Sequence, residues 1–564
     1  MEGNRIRLAS DFYITRDGTP AASIVVRTGA PDKVMEAARD LQDIIRRMSG
    51  AELPICDDAF RVEGNKILLG PSGYTRIHNV VFPEQKGEWC LLRRREDTLV
   101  LAGNDEGCYT GTQFAVTMLL ERLGCGWFGP EELWQVIPQK KTLTVGDLDI
   151  LHTPQFSCRR TRVLEKNPDI GRRWYQGGDK SLIEHAYSIL FPREQYFEAH
   201  PDWYCMHGGV RDPYNNRSIH LESWQMCYSN PELAQATADK VIAFFDANPD
   251  YASYSLAAND GMYEGFCECE ECQKWGMPGE VMMEFVNRVA RLTAAKYPDK
   301  TLYFFVYFPT FDPPNRFIQA EPNVQLMFCK ESCMYHPVDK GPDCGYHEDY
   351  EFEFRYTQYP RPWRQTMEKW LEMTGLSSFC IWEWYCPAAC VTSWEHLPWV
   401  QGDVATRNQR FWHDKGATFV FYDQGPNDYY HDTEKSYPLR WPLWYVVSKG
   451  MWDKDLTGTD ILTDACKKLF EQAADVMLSY YLALADISRD CHAKNIAWQS
   501  AEPYEFYTPA AIERVDRILA RAAQLLDEVS GPVRARMENQ MALWEACKRQ
   551  VEASYSGSAY QPIY

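Results

Sequence analysis

Between residues 151 and 436 the chain repeats one pattern: a short run rich in β-branched and aromatic residues, then a longer amphipathic stretch. The runs are SCRRTRV, IEHAYSI, WQMCY, ASYSLA, LYFFVYF, VQLMFC, SSFCIWEW and TFVFYD, eight in all. PELAQATADKVIAFFDAN, EVMMEFVNRVARLTAAKY, PWRQTMEKWLEM and DVATRNQRFWHD carry helical periodicity between them. The first of these has Pro231 in its opening turn and Asn230 where a cap belongs. Strands that alternate with crossover helices form parallel sheets, and eight such units close into a (β/α)8 barrel of the TIM type.

The flanks differ. Residues 1–150 read as a small α/β sandwich domain: PDKVMEAARDLQDIIRRMSG spaces Val34, Ala38, Leu41, Ile45 and Met48 helically and stops at Gly50. KILLG and DTLVLAG are short buried strands, and CYTGTQFAVTMLLERLG is a second helix that ends at Gly124. Residues 437–564 lose the strand pattern and read as a C-terminal α-helical domain, with Arg440–Trp444 expected to dock it on the barrel.

With 59 basic and 79 acidic residues the net charge is −20, so nucleic acid and anionic membranes are poor partners. No apolar segment is long enough to span a bilayer. The opening MEGNRIRLASDFYI lacks a signal-peptide core, which places the chain as written in the cytoplasm, or outside the cell if a signal has been removed. Nineteen Trp residues are many, and Trp stacks well on the apolar faces of sugars.

A barrel of this kind works at the C-terminal ends of its strands, so the polar residues that close each run are the site candidates. The first run gives Arg160 and Arg162, the second His185 and the third Gln225. The fourth leads to Asn259 and Asp260, and the sixth to Lys330 and Glu331. Glu383 lies between Trp382 and Trp384, and the last run closes with Tyr422 and Asp423. Carboxylates on several strands, framed by tryptophans, suit glycoside hydrolysis. That reaction needs an acid for the leaving oxygen and a second group for the oxocarbenium-like centre or the water. The expected catalytic set is Asp260, Glu383, Glu331 and Asn259. Trp382, Trp384 and Tyr422 would form a sugar platform, while Arg160, Arg162, His185, Gln225 and Asp423 would bind hydroxyls or a substrate carboxylate. Taken singly, a carboxylate at a strand end is more often a helix cap or an ion-pair partner. No nucleotide-binding or metalloprotease motif is present, so no cofactor is required.

Cys267, Cys269 and Cys272 form C-x-C-x-x-C, which could hold a structural zinc with a fourth ligand from Cys329, Cys333 or His336. Plain thiols or one disulfide remain open for the same residues. Either way the cluster would brace the loop that follows Asp260.

Several stretches give the chain a family likeness. They are DEGCYTGTQFAVTMLLERLGCGWFGPEE (105–132), LFPREQYFEAHPDWYCMHGGVR (190–211), QMCYSNPEL (225–233), SLAANDGMYEGFCECEEC and LFEQAADVMLSYY (469–481). Together they resemble the bacterial domain of unknown function 4838, which overlaps glycoside hydrolase family 163. The first is similar to the N-terminal domain that precedes the barrels of α-glucuronidases and β-hexosaminidases. The resemblance implies a barrel glycosidase acting on an oligosaccharide; characterised members of family 163 are endo-β-N-acetylglucosaminidases on complex N-glycans. Secreted N-glycan enzymes carry export signals and this sequence shows none, which favours a smaller imported oligosaccharide.

The Asn259–Asp260 pair resembles the adjacent pair of N-acetylhexosaminidases, in which one residue orients the substrate acetamide as nucleophile and its neighbour is the acid. An α-glucuronidase-like activity is the alternative reaction, with Arg160 and Arg162 clamping a uronate. A catalytically silent carbohydrate-binding protein would use the same cleft. A zinc-dependent hydrolase is the remaining reading, although three thiolates make a closed site more naturally than an open one.

Overall fold

The computed structural model describes residues 11–165, 167–211, 225–260, 265–307, 310–330, 337–339, 363–384, 397–398, 400, 402–423, 433–490 and 503–555. The central sheet has eight strands: β1 (Cys158–Thr161), β2 (Gly177–Gly178), β3 (Lys180–Leu182), β4 (Tyr251–Ser255), β5 (Thr301–Val306), β6 (Val324–Lys330), β7 (Phe379–Trp384) and β8 (Ala417–Asp423). Their order is β2-β1-β8-β7-β6-β5-β4-β3. All the pairings are parallel except β1 with β2, and β8 returns to pair with β1, so the sheet curls into a nearly closed barrel. The ladder is broken between its end strands β2 and β3. There the Arg160 Nη1 of β1 donates to the Ser181 carbonyl of β3 at 3.1 Å and bridges the seam.

Two expected strands fall elsewhere. IEHAYSI does not form one: β3 ends just before it, Tyr187–Leu190 is helical, and His185 keeps a single parallel bridge to Ala257. Among the described residues of WQMCY, Met226 makes one isolated bridge to Tyr204. Its buried side chains pack in the loop layer instead of a ladder, because Asn230 and Pro231 start a helix immediately afterwards. Asn230 Oδ1 accepts from the N–H groups of Glu232 and Leu233, as a cap should. The polar KSL of β3 carries no periodicity long enough to reveal it.

Strand alternation sorts the barrel residues into two sets. Cys158, Tyr303, Phe305, Met327, Cys329, Cys380, Phe419 and Phe421 form one small cluster, with Trp382 and Tyr307 packed on it; this is the lumen. Phe304, Val306, Leu326, Phe328, Phe379, Ile381, Val420 and Tyr422 belong to the larger core under the surrounding helices.

That larger core is continuous with the rest of the chain. At the N-terminal end a six-stranded sheet packs against the helices Asp32–Ser49 and Gly111–Arg122. The first helix buries Val34, Ala38, Leu41, Ile45 and Met48 and ends at Gly50, whose φ of 81° only glycine adopts freely. Arg159 of β1, fully buried, ion-pairs with Glu88 of the N-terminal region. At the other end the helix Thr433–Trp452 begins a helical array. Its Trp441 packs on Phe128 (5.4 Å), Trp134 (6.4 Å) and Tyr481 (5.3 Å), so this helix docks on the N-terminal region as well as on the barrel. Among the described residues no helix is long and apolar enough to cross a membrane.

Candidate active site

The lumen ends in an aromatic floor at the C-terminal mouth of the strands. Trp382 meets Phe305 and Phe421 edge-on, with centroids 4.9 and 5.1 Å apart, and His185 meets Phe305 at 5.2 Å. Arg160 and Arg162 each place a guanidinium 5.4 Å from the Phe421 centroid. Half-buried side chains of this kind over an aromatic surface can stack on sugar faces and bond to hydroxyls.

Each polar group here has a defined partner. Arg162 holds Asp423 in a bidentate pair, Nε to Oδ1 at 2.7 Å and Nη2 to Oδ2 at 3.1 Å. Both Asp423 oxygens are therefore engaged, and the residue fixes the Arg162 fork in place. Arg160 donates to Glu165 from Nε and Nη2 at 2.9 and 2.6 Å. His185 Nδ1 lies 2.6 Å from the Ala258 carbonyl, so Nδ1 is the donor in that contact and fixes the ring's orientation.

Asn259 and Asp260 follow the lumen residue Ala257 by two and three positions, beyond the end of β4 at Ser255. Asn259 is buried; its Oδ1 accepts from the Ser188 N–H at 2.8 Å. Its backbone is clamped by Gln225, whose Oε1 accepts from the Asn259 N–H at 3.0 Å while Nε2 donates to the Asn259 carbonyl at 2.7 Å. Gln225 is fully buried, with Oε1 also accepting from Tyr228. Gln225 and Asn259 thus brace the rim, where sequence reasoning gave them hydroxyl-binding and catalytic roles. Asp260 is half-buried and has no ion pair among the described residues.

Other expectations move. Glu383 belongs by alternation with Phe379 and Ile381, on the helix-facing side of β7, and not with Cys380 and Trp382 in the lumen. It is fully buried and accepts from Lys330 Nζ at 2.8 Å across the β6–β7 pairing. Burial pushes its carboxyl up to about 7 despite the opposing pull of Lys330. Oε2 has no hydrogen-bond partner among the described residues. Tyr422 also faces outward, where its hydroxyl accepts from Gln409 at 2.8 Å, so it is no sugar platform. The sequence signal was sound for burial and strand ends, but the face depends on register. Glu331, Cys333, His336 and the side chain of Trp384 lie outside the described residues. Phe305 and Phe421, which build the floor, were hidden in runs that read as ordinary core.

The cysteines converge, with a correction. Cys227, Cys267, Cys269 and Cys272 are all buried, and their four sulfurs lie within 4.8 Å of one another. The fourth member is Cys227, whereas Cys329 lines the lumen. Forty residues separate Cys227 from Cys267, so spacing could not have shown it.

Residues 130–482 match the family described as domain of unknown function 4838. The chain belongs to that family. No curated protein matches it. Among solved structures it is similar to a family GH115 4-O-methyl-α-glucuronidase with specificity for decorated arabinogalactans. That match has 13% identity and a TM-score of 0.57, and covers 97% of this chain and 76% of the other. A Streptomyces plicatus N-acetyl-β-hexosaminidase aligns with 10% identity, a TM-score of 0.42 and coverage of 85% and 93%. A Clostridium perfringens family 89 glycoside hydrolase aligns at 9%, 0.48, 92% and 62%. At 13% identity and a TM-score of 0.57 the likeness to the glucuronidase concerns the fold alone. This member of the 4838 family thus has a barrel fold found in glycoside hydrolases, and its chemistry has to be argued from its own residues.

Proposed function

We propose that this protein hydrolyses a glycosidic bond of an oligosaccharide, at a neutral N-acetylhexosamine, with Asp260 as the general acid. One observation carries the reading. An aromatic floor would receive the sugar, and the Asp260 carboxyl has no ion pair among the described residues, while the lumen-facing Asp423 has both oxygens held by Arg162. A carboxylate so engaged is a poor nucleophile. Chemistry in this cleft is best served by a substrate that brings its own. The acetamide oxygen would attack the anomeric carbon as Asp260 gives its proton to the leaving oxygen. Water would then open the resulting oxazolinium ion at the anomeric carbon, with Asp260 taking a proton from that water and the acetamide re-forming.

Charge supports a neutral sugar. Arg160 and Arg162 already pair with Glu165 and Asp423, so neither guanidinium is a spare cation for a uronate. Trp382 would stack on the ring, and Arg162 and His185 Nε2 would bond to hydroxyls.

The test is product analysis by mass spectrometry after incubation with chitooligosaccharides, complex N-glycans and uronate-capped oligosaccharides. Anomeric protons are followed by NMR during early turnover. Cleavage of acetamide-bearing substrates with retained configuration is expected. Inversion, equal activity on sugars without the acetamide, or binding without cleavage would overturn the proposal.

A further inference from the structure

We infer that Cys227, Cys267, Cys269 and Cys272 bind one zinc ion as a closed tetrathiolate that fastens the rim of the barrel. A tetrahedral zinc with Zn–S bonds of about 2.3 Å has sulfur–sulfur edges of roughly 3.8 Å. Cys227 Sγ lies 3.6 Å from Cys269 Sγ and 3.9 Å from Cys272 Sγ. A disulfide would need about 2.05 Å. The four sulfurs are therefore spaced to surround an ion and not to bond in pairs.

The surroundings suit thiolates. The Met206 N–H donates to Cys267 Sγ at 3.2 Å and the Cys272 N–H to Cys269 Sγ at 3.5 Å. The Ser229 hydroxyl lies 3.1 Å from Cys272 Sγ and 3.7 Å from Cys227 Sγ. The Arg211 guanidinium reaches the Cys227 sulfur, and its charge offsets part of the negative charge of four thiolates around a divalent ion. With four cysteine ligands and every ligand residue buried, no position is left for water or substrate, so the role is structural.

The ion would join segments far apart in sequence. Cys227 follows Gln225 by two residues, and Gln225 clamps the Asn259 backbone. Of the other three cysteines, Cys267 precedes the short helix Glu270–Trp275, Cys269 caps it and Cys272 lies within it, and the Glu268 N–H donates to the Met206 carbonyl at 2.8 Å. Through the Gln225 clamp the ion would steady Asn259, the neighbour of Asp260, and so bear on catalysis. That last link rests on the hydrolase reading; the metal site does not.

The experiment uses the full-length protein. Elemental analysis should give about one zinc per chain. Titration of the native protein with p-hydroxymercuribenzoate should release that zinc in step with about four thiols, read by a colorimetric zinc indicator. Cys227→Ser should retain less than about a tenth of the zinc, and Cys329→Ser all of it. If Cys227→Ser does not fold, the native titration still decides. Zinc below about 0.2 per chain, stoichiometric iron in its place, disulfides among these cysteines by mass spectrometry, or release unlinked to four thiols would overturn the site. None of these readouts depends on turnover.

Discussion

Replacing Lys330 and Glu383, singly and together, separates a structural ion pair from a catalytic carboxyl. Both side chains are buried, and they meet at 2.8 Å on the helix-facing side of the sheet. The Glu383 carboxyl rises from 4.5 to about 7, so desolvation outweighs the attraction of Lys330 by about 3 kcal/mol at 1.36 kcal/mol per pH unit. The ionised pair is therefore no net stabiliser, and replacing both residues by Met should leave stability unchanged or raise it by up to ~3 kcal/mol. Glu383→Met alone removes the carboxylate to which Lys330 donates, and breaking a buried pair costs about 3–5 kcal/mol. The assay is urea unfolding followed by far-UV circular dichroism at pH 8, where the carboxyl is ionised, with turnover measured on the best substrate from product analysis. The expected order of midpoints is single variant well below wild type, double variant at or above it, with the double variant's turnover within about tenfold of wild type. A double variant that folds normally but loses ~10²-fold or more in kcat, the scale of a lost acid–base group, would refute this reasoning and return Glu383 to the chemistry.

Asp260→Asn should lower kcat by at least ~10²-fold with an unchanged unfolding midpoint; full activity would remove Asp260 from the mechanism. Because the folded state holds the Glu383 proton more tightly than the unfolded chain, its contribution is intact below pH 4.5 and is lost as pH rises through about 7. Wild-type stability relative to Glu383→Gln should accordingly fall by about 3 kcal/mol between pH 4.5 and 8, and parallel stability profiles would contradict this. Gly111→Ala would place a Cβ 2.2 Å from the Trp89 carbonyl oxygen and 2.8 Å from the Gly103 Cα, so a loss of at least ~3 kcal/mol is expected in thermal unfolding. EDTA that leaves the buried tetrathiolate zinc in place should leave turnover intact, because the proposed chemistry uses no metal; activity lost while that zinc stays bound would require a catalytic one.

Much of the local structure follows from short-range pattern. The helix from Asp32 to Ser49, its stop at Gly50 and the Asn230 cap each depend on residues a few positions apart, which a sequence displays directly. The long apolar runs of β5 to β8 were legible for the same reason, since a buried parallel strand must be apolar on both faces. β3 was not, because three residues with polar Lys180 and Ser181 carry no period.

The barrel, the family likeness and the pool of polar residues at strand ends can all be read from pattern along the chain. Tertiary structure decided which of them share a space. Glu383 and Trp382 are neighbours in sequence, yet the two-residue alternation of a strand sends one to the helices and the other to the lumen. Both faces of this strand are buried, so hydrophobic pattern cannot say which is which. Cys227 joined Cys267, Cys269 and Cys272 only when the chain folded back over the intervening helix and strand. Contacts between segments so far apart are fixed by how the sheet closes, and one sequence read alone has no term for that distance.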